Sequence, residues 1–131
     1  MRLLLDTHIA LWAVAGDPRL PSHAADLIAE PVNDVFVSAA SLWEIAIKHA
    51  LARGGPNDMP ISAREALSYF RSAGYSMLVV SAEHAIAVEQ LPMLHADPFD
   101  RILVAQALTV PLRLMTRDVR VAAYSDSIML V

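Results

Sequence analysis

Short continuous apolar runs alternate along this chain with longer segments in which apolar residues recur at helical spacing. Leu3-Leu4-Leu5, closed by Asp6, predicts a buried strand over residues 2–6. A helix follows from Thr7 to about Ala15, where Gly16-Asp17-Pro18 stops it. A second short helix is predicted from Ser22 to Glu30, and Val35-Phe36-Val37 marks a strand over residues 34–38. Ser38 suits the cap of a long helix through Ala52, ended by Gly54. Gly55-Pro56-Asn57-Asp58 reads as a surface loop.

The second half keeps this rhythm. Ser62-Ala63-Arg64-Glu65 has the form of a capping box and opens a helix to Ala73, stopped by Gly74. Tyr75 to Val80 predicts a third strand, and Ser81 caps a helix to about Leu91. Asp97-Pro98 places a cap before a proline at the first helical position, starting a helix to Thr109. Leu112 to Met115 is a fourth strand and Ile128 to Val131 a weak fifth. Neither repeats nor linkers interrupt the pattern. Continuous apolar strands separated by helices predict an α/β fold, with a parallel sheet covered on both faces. In such folds the working crevice lies outside the carboxyl ends of the strands. Asp6 lies at that end of the first strand, and Asp118 lies just beyond the fourth.

The 131 residues suit one domain with a core of its own. The hydrophobic fraction is 56%, above the usual ~45–50%. Part of that excess is expected to cover a partner. Cysteine is absent, which excludes a disulfide framework and a thiolate zinc site and fits a reducing cytoplasm. A net charge of −4 excludes a protein-wide electrostatic trap for nucleic acid. Any such contact must come from a local patch plus a metal. Arg2, Leu3 to Leu5 and Ala13-Val14-Ala15 imitate a signal peptide, but Asp6 and His8 break its would-be apolar core. No apolar run approaches the ~20 residues of a membrane-spanning helix, so no membrane association is expected.

Four carboxylates stand in apolar surroundings: Asp6, Glu44, Asp100 and Asp118. Carboxylates rarely bury unless paired or bound to a metal. Each has a duller role available. Asp6 can cap the helix that follows it. Glu44 has Lys48 at the i,i+4 spacing, worth only ~0.2–0.5 kcal/mol, yet Leu42, Trp43, Ile45 and Ala46 make its helix largely apolar. Asp97 is well explained as a cap, whereas Asp100 is one turn inside and can project into the crevice. Asp118 can terminate a strand, with Thr116 two residues earlier able to orient a carboxylate or a water. Two unit charges about 4 Å apart repel by roughly 4 kcal/mol at an effective dielectric of about 20. Converging acids therefore favour a shared divalent cation, and hard oxygen ligands suit Mg²⁺ or Mn²⁺.

The five histidines show no metal-site spacing and read mostly as helix-surface residues. Trp12 and Trp43 read as core or interface residues. Arg101, Arg117 and Arg120 flank the acids and have phosphate binding open to them, beside an ordinary solvated role. No phosphate-binding glycine motif is present.

With these positions in place, the chain resembles the PIN-domain ribonucleases, and among them the VapC-type toxins of bacterial toxin–antitoxin pairs. The resemblance covers essentially the full length. It rests on Leu-Leu-Asp-Thr-His at 4–8, Ser-Leu-Trp-Glu-Ile at 41–45, Asp-Pro-Phe-Asp-Arg at 97–101 and Thr-Arg-Asp at 116–118. It implies a PIN-like three-layer α/β/α fold with a central parallel sheet of four to five strands. The family's four acids fall on Asp6, Glu44, Asp100 and Asp118, and its polar residue near the fourth acid on Thr116. The implied activity is a Mg²⁺- or Mn²⁺-dependent endoribonuclease silenced by a cognate antitoxin. A homodimer is implied too, with higher assembly on the antitoxin. Asp6 and Asp100 would bind the principal ion, and Glu44 and Asp118 would complete the pocket. Competing readings are an aspartate-based phosphatase or phosphotransferase, a response-regulator-like module, and a non-catalytic RNA-binding module. The first wants a second aspartate two residues after Asp6, where His8 stands.

Overall fold

Leu3, Leu4 and Leu5 fill strand β1 (Arg2–Leu5) and are fully buried. The computed structural model describes residues 1–131. Strand β1 is the centre of a five-stranded sheet with β2 (Asp34–Ser38), β3 (Ser76–Leu78), β4 (Arg113–Thr116) and β5 (Met129–Leu130), ordered β3-β2-β1-β4-β5. Every pairing is parallel. Leu4 lies opposite Phe36 on one side and Leu114 on the other.

Alternation along a strand sends neighbouring side chains to opposite faces, so the leucine run feeds two cores. Leu3 and Leu5 join Ile9, Ile45 and Phe70. Leu4 joins Leu103, Val104 and Leu114. The first core is closed by helices α1 (Thr7–Ala15), α2 (Ser22–Ala29), α3 (Ala39–Ala50) and α4 (Ala63–Ser72). The second lies under α6 (Pro98–Thr109) and α7 (Val119–Ala122). Helix α5 (Ala82–Ala87) continues into a 3₁₀ turn at Val88–Gln90 and packs against α6. The result is a three-layer α/β/α arrangement. No helix is long and apolar enough to cross a membrane.

Local chemistry sets the helix ends. Gly16 ends α1 at φ 63°, a left-handed turn that glycine adopts without a Cβ penalty. Ser62 Oγ accepts from Glu65 N–H and Glu65 Oε1 accepts from Ser62 N–H, each at 3.1 Å. Asp97 accepts from Phe99 N–H at 2.8 Å and Asp100 N–H at 3.1 Å.

Three elements differ from the sequence expectation. The third strand stops at Leu78, because Val79 leaves the sheet and gives its carbonyl to the Gln106 side chain at 3.1 Å. The helix expected to Leu91 breaks after Ala87, and the Arg101 guanidinium takes the Val88, Leu91 and Pro92 carbonyls. Helix α7 was not anticipated; at four residues it is too short for periodicity to reveal, and Asp118 caps it.

Phe70 is the largest fully buried side chain. Phe70→Ala is expected to lower unfolding free energy by roughly 3–5 kcal/mol, against about 1 kcal/mol for Ser62→Ala. Urea unfolding of the two variants checks the contrast.

Candidate functional site

From β1 the chain builds outward through β2 to β3, then crosses back by α6 to lay β4 and β5 on the other side. The order therefore reverses between β1 and β4, the place where parallel sheets leave a crevice at their carboxyl ends. Asp6 and Thr116 emerge at that point, tied by Asp6 N–H to Met115 O at 3.1 Å. A cleft of about 650 Å³ opens there. Asp6, Glu44, Asp97, Asp100 and Asp118 line it together with Lys48, His95, Arg117 and Arg120.

Each carboxylate is held differently. Asp6 Oδ1 accepts from Ile9 N–H at 2.9 Å, and its Oδ2 accepts from the Thr116 hydroxyl at 2.6 Å. Asp6 thus caps α1 and faces the cleft at once. Glu44 is buried; Thr7 donates to its Oε1 and Lys48 to its Oε2, both at 2.6 Å. The i,i+4 pairing and the apolar burial are both present here. Asp100 Oδ2 receives His95 Nε2 at 2.7 Å, and no protein donor reaches its Oδ1. Asp118 accepts from Arg120 N–H at 2.8 Å and from the Arg120 guanidinium at 3.2 Å. Asp97 remains a cap, yet it also lines the cleft.

His95 is the residue that spacing rules missed. Its side chain is 7% exposed, and Nε2 also lies 3.6 Å from Asp118 Oδ2. His95, Asp100 and Asp118 bring three ligand atoms within 4.8 Å of one another. Its place, two residues before the Asp97 cap, matches no sequence-local metal motif. Only the turn into α6 brings it to the acids.

Arg101 departs from its phosphate option. It is buried, and its guanidinium donates to Pro92 O at 3.0 Å, Val88 O at 3.2 Å and the Tyr124 hydroxyl at 2.9 Å. The Tyr124 oxygen in turn accepts from His95 N–H at 3.1 Å. Arg101 therefore clamps the loop that carries His95. His84 departs likewise from a surface role. It is buried, and its Nδ1 accepts from Ser81 N–H at 3.1 Å. Trp43 lies 64% exposed, edge-on to Phe99 at 5.2 Å.

Burial pushes the Asp6 carboxyl above its ordinary 3.8, against the downward pull of Thr116 and Ile9 N–H. Burial also pushes Asp100 up; His95 opposes this, and the charges on Asp97 and Glu44 add to it. For Asp118 burial acts upward, but the Arg120 contacts outweigh it and leave the carboxyl below its ordinary value. Two acids are thus costly to ionise, in a cleft whose lysine and one arginine are already paired with other carboxylates. The carboxylate oxygens, with Asp100 Oδ1 unclaimed, fit a hard divalent ion, and His95 serves there as the partner of Asp100 Oδ2.

A carboxyl with a raised folded pKa binds more protons folded than unfolded, so its contribution to stability falls as pH rises from 3.8 through the folded value. Without divalent ions, Asp6→Asn is expected to gain in thermal midpoint relative to the parent chain across that window. Mg²⁺ is expected to close the gap at neutral pH by stabilising the parent more. Thermal scans in EDTA and in Mg²⁺ check both. Arg101→Ala is expected to cost about 1–3 kcal/mol by leaving the half-buried Val88 and Leu91 carbonyls without their donor, whereas exposed Arg120→Ala changes stability by less than about 0.5 kcal/mol. Denaturant titrations separate the two.

Comparison with known proteins gives a consistent result. The PIN domain family matches residues 3–126. The chain is 30% identical over 122 residues to Ribonuclease VapC22 of Mycobacterium tuberculosis, spanning 93% of this chain and 91% of that protein. It superposes on VapBC2 from Rickettsia felis, solved with a DNA fragment from their promoter, at a TM-score of 0.71 and 18% identity. That match covers 100% of this chain and 98% of the other. FitAcB from Neisseria gonorrhoeae matches at a TM-score of 0.64 and 20% identity, over 98% of this chain and 96% of that one.

Proposed function

The chain belongs to the PIN-domain family, and from that premise we propose that it is a divalent-metal-dependent endoribonuclease acting as the toxin of a toxin–antitoxin pair. The observation that carries the reading is the acid cleft at the β1/β4 switch point, where burial raises two carboxyls that no lysine or arginine neutralises. Ribonuclease VapC22, similar over nearly the whole chain, gives the reaction class. On this reading the chain is one PIN domain that works in the cytoplasm, pairs as a homodimer and is silenced by a cognate antitoxin. The high apolar content suits both of those partners.

Asp6 and Asp100 would hold the ion, Mg²⁺ or Mn²⁺, with Asp118 beside them. When bound, that ion acidifies water near neutral pH and offsets the charge that builds on a phosphodiester during hydrolysis. The protein's own part is orientation. Thr116 fixes Asp6 Oδ2, and His95 fixes Asp100 Oδ2 while leaving Oδ1 free to face the cleft. Glu44, unlike Asp6, is paired with a cation, Lys48, which offsets its charge, so it completes the wall of the pocket. Thr116 Oγ1 also accepts from Asp118 N–H at 3.1 Å, coupling the positions of two acids through one hydroxyl.

Antitoxin-free protein is expected to cut a labelled RNA pool into discrete fragments in Mg²⁺ or Mn²⁺ and to leave it intact in EDTA. Asp6→Asn is expected to lose at least about 100-fold in rate, since the substitution removes a charged ligand from the ion site. Undiminished cleavage by folded Asp6→Asn would falsify the assignment of Asp6.

A further inference from the structure

Three cationic side chains line the acid cleft, and two of them are committed to its own carboxylates. Lys48 pairs with Glu44 at 2.6 Å and Arg120 with Asp118 at 3.2 Å. Arg117 is the third, exposed and without a carboxylate within ion-pair distance. Its guanidinium lies 5.5 Å from the centre of the Trp12 ring, and its Nη1 donates to Arg19 O at 2.9 Å. The Arg19 guanidinium lies 5.0 Å from the same ring and is occupied by Asp17 at 2.7 Å. Trp12 itself is half-buried and lines the cleft.

An arginine braced in this way has already surrendered part of its rotamer freedom, so less is lost when it grips a ligand. The aromatic face attracts the cation without neutralising it. Arg117 is therefore a preplaced fork of donors at the rim of a cleft whose five carboxylates outnumber its three cations. Such a fork matches phosphate oxygens. An RNA strand that brings one phosphodiester to the acids necessarily presents a neighbouring phosphate outside them. An acidic peptide gains nothing from the acids and lacks that regular charge spacing.

We propose that Arg117, held by Trp12, binds the RNA phosphate next to the one that enters the acid cleft. This inference rests on the nuclease reading for the nature of the substrate. Trp12 is a positioning residue, acting through the guanidinium it holds. Arg101 and Arg120 are set apart from this role by the partners they already have.

The test is equilibrium binding of a fluorescent, mixed-sequence single-stranded RNA to the full chain carrying Asp6→Asn, in Mg²⁺, across a range of salt. Adding Arg117→Gln is expected to weaken binding roughly tenfold and to make the salt slope shallower by about 0.7, one single-strand phosphate contact. Arg117→Lys keeps that slope while losing affinity, because the charge remains and the fork does not. Arg113→Gln, at the opposite end of β4, changes neither. With Trp43→Phe leaving Trp12 as the sole tryptophan, RNA is expected to shift its emission, and Arg117→Gln to abolish the shift. Unchanged affinity and slope in Arg117→Gln, or no RNA binding by the Asp6→Asn chain, overturns the proposal. Unchanged RNA binding with weakened binding of a protein inhibitor overturns it in favour of a protein contact. A parent chain that binds RNA through Arg117 but cleaves none overturns the nuclease reading alone.

Discussion

Asp6 is held by a backbone amide and a threonine hydroxyl and by no cation, and much of the molecule is arranged around that fact. Its position follows from β1, whose leucines are buried in both cores and cannot shift without exposing one of them. The carboxylate must then emerge where β1 ends, beside β4, whatever the electrostatic cost. Desolvation raises its proton affinity, and Asp100 across the cleft adds to the penalty. A fold that tolerates this gives up some stability at neutral pH, as functional sites commonly do. The compensation lies in hydrogen bonding: Thr116, Thr7, Lys48, His95 and Arg120 each engage one of the four acids.

The central architecture was legible because its signals are local and redundant. A leucine triplet between charges, a serine–glutamate capping box and a proline after Asp97 each carry their own physical reason, and they agree with one another. The short elements were less legible. Helix α7 is one turn capped by Asp118, too short for periodicity to mark, and the 3₁₀ turn after α5 depends on Arg101, which lies outside the local pattern. The acids were found because they interrupt apolar runs. Strand ends located only Asp6 and Asp118 at the crevice; Glu44 and Asp100 reach it from α3 and α6.

The distribution of arginine roles was not legible. Arg101, Arg117 and Arg120 all flank acids in the sequence, and nothing in their spacing separates them. Folding does so by geometry. Arg101 points inward from α6 to a set of loop carbonyls, Arg120 turns back to the acid that caps its own helix, and Arg117, in the turn between β4 and α7, leans across to Trp12 of α1. His95 belongs with them: its loop is fixed by Arg101 through Tyr124, a contact spanning 23 residues. Burial of a charged side chain is costly unless its donors are met, so the best-satisfied arginine is the structural one and the least-satisfied is free to act on a ligand.

The same bookkeeping of partners weighs the competing chemistries. An aspartyl phosphotransferase needs Asp6 as a nucleophile with an acid beside it to manage the proton, yet the neighbouring positions turn elsewhere. The Thr7 hydroxyl is directed to Glu44, and His8 lies 6.1 Å from the Trp12 ring. Asp6 itself has both oxygens engaged, which suits a fixed ligand better than an attacking group. A response-regulator-like site would need Lys48 free to reach a phosphoryl group, whereas its ammonium sits 2.6 Å from Glu44. Ion binding makes fewer demands of this kind. It asks for oxygens at fixed positions with lone pairs left for the ion, and the unclaimed Oδ1 of Asp100, with Asp6 and Asp118 in the same cleft, meets that demand.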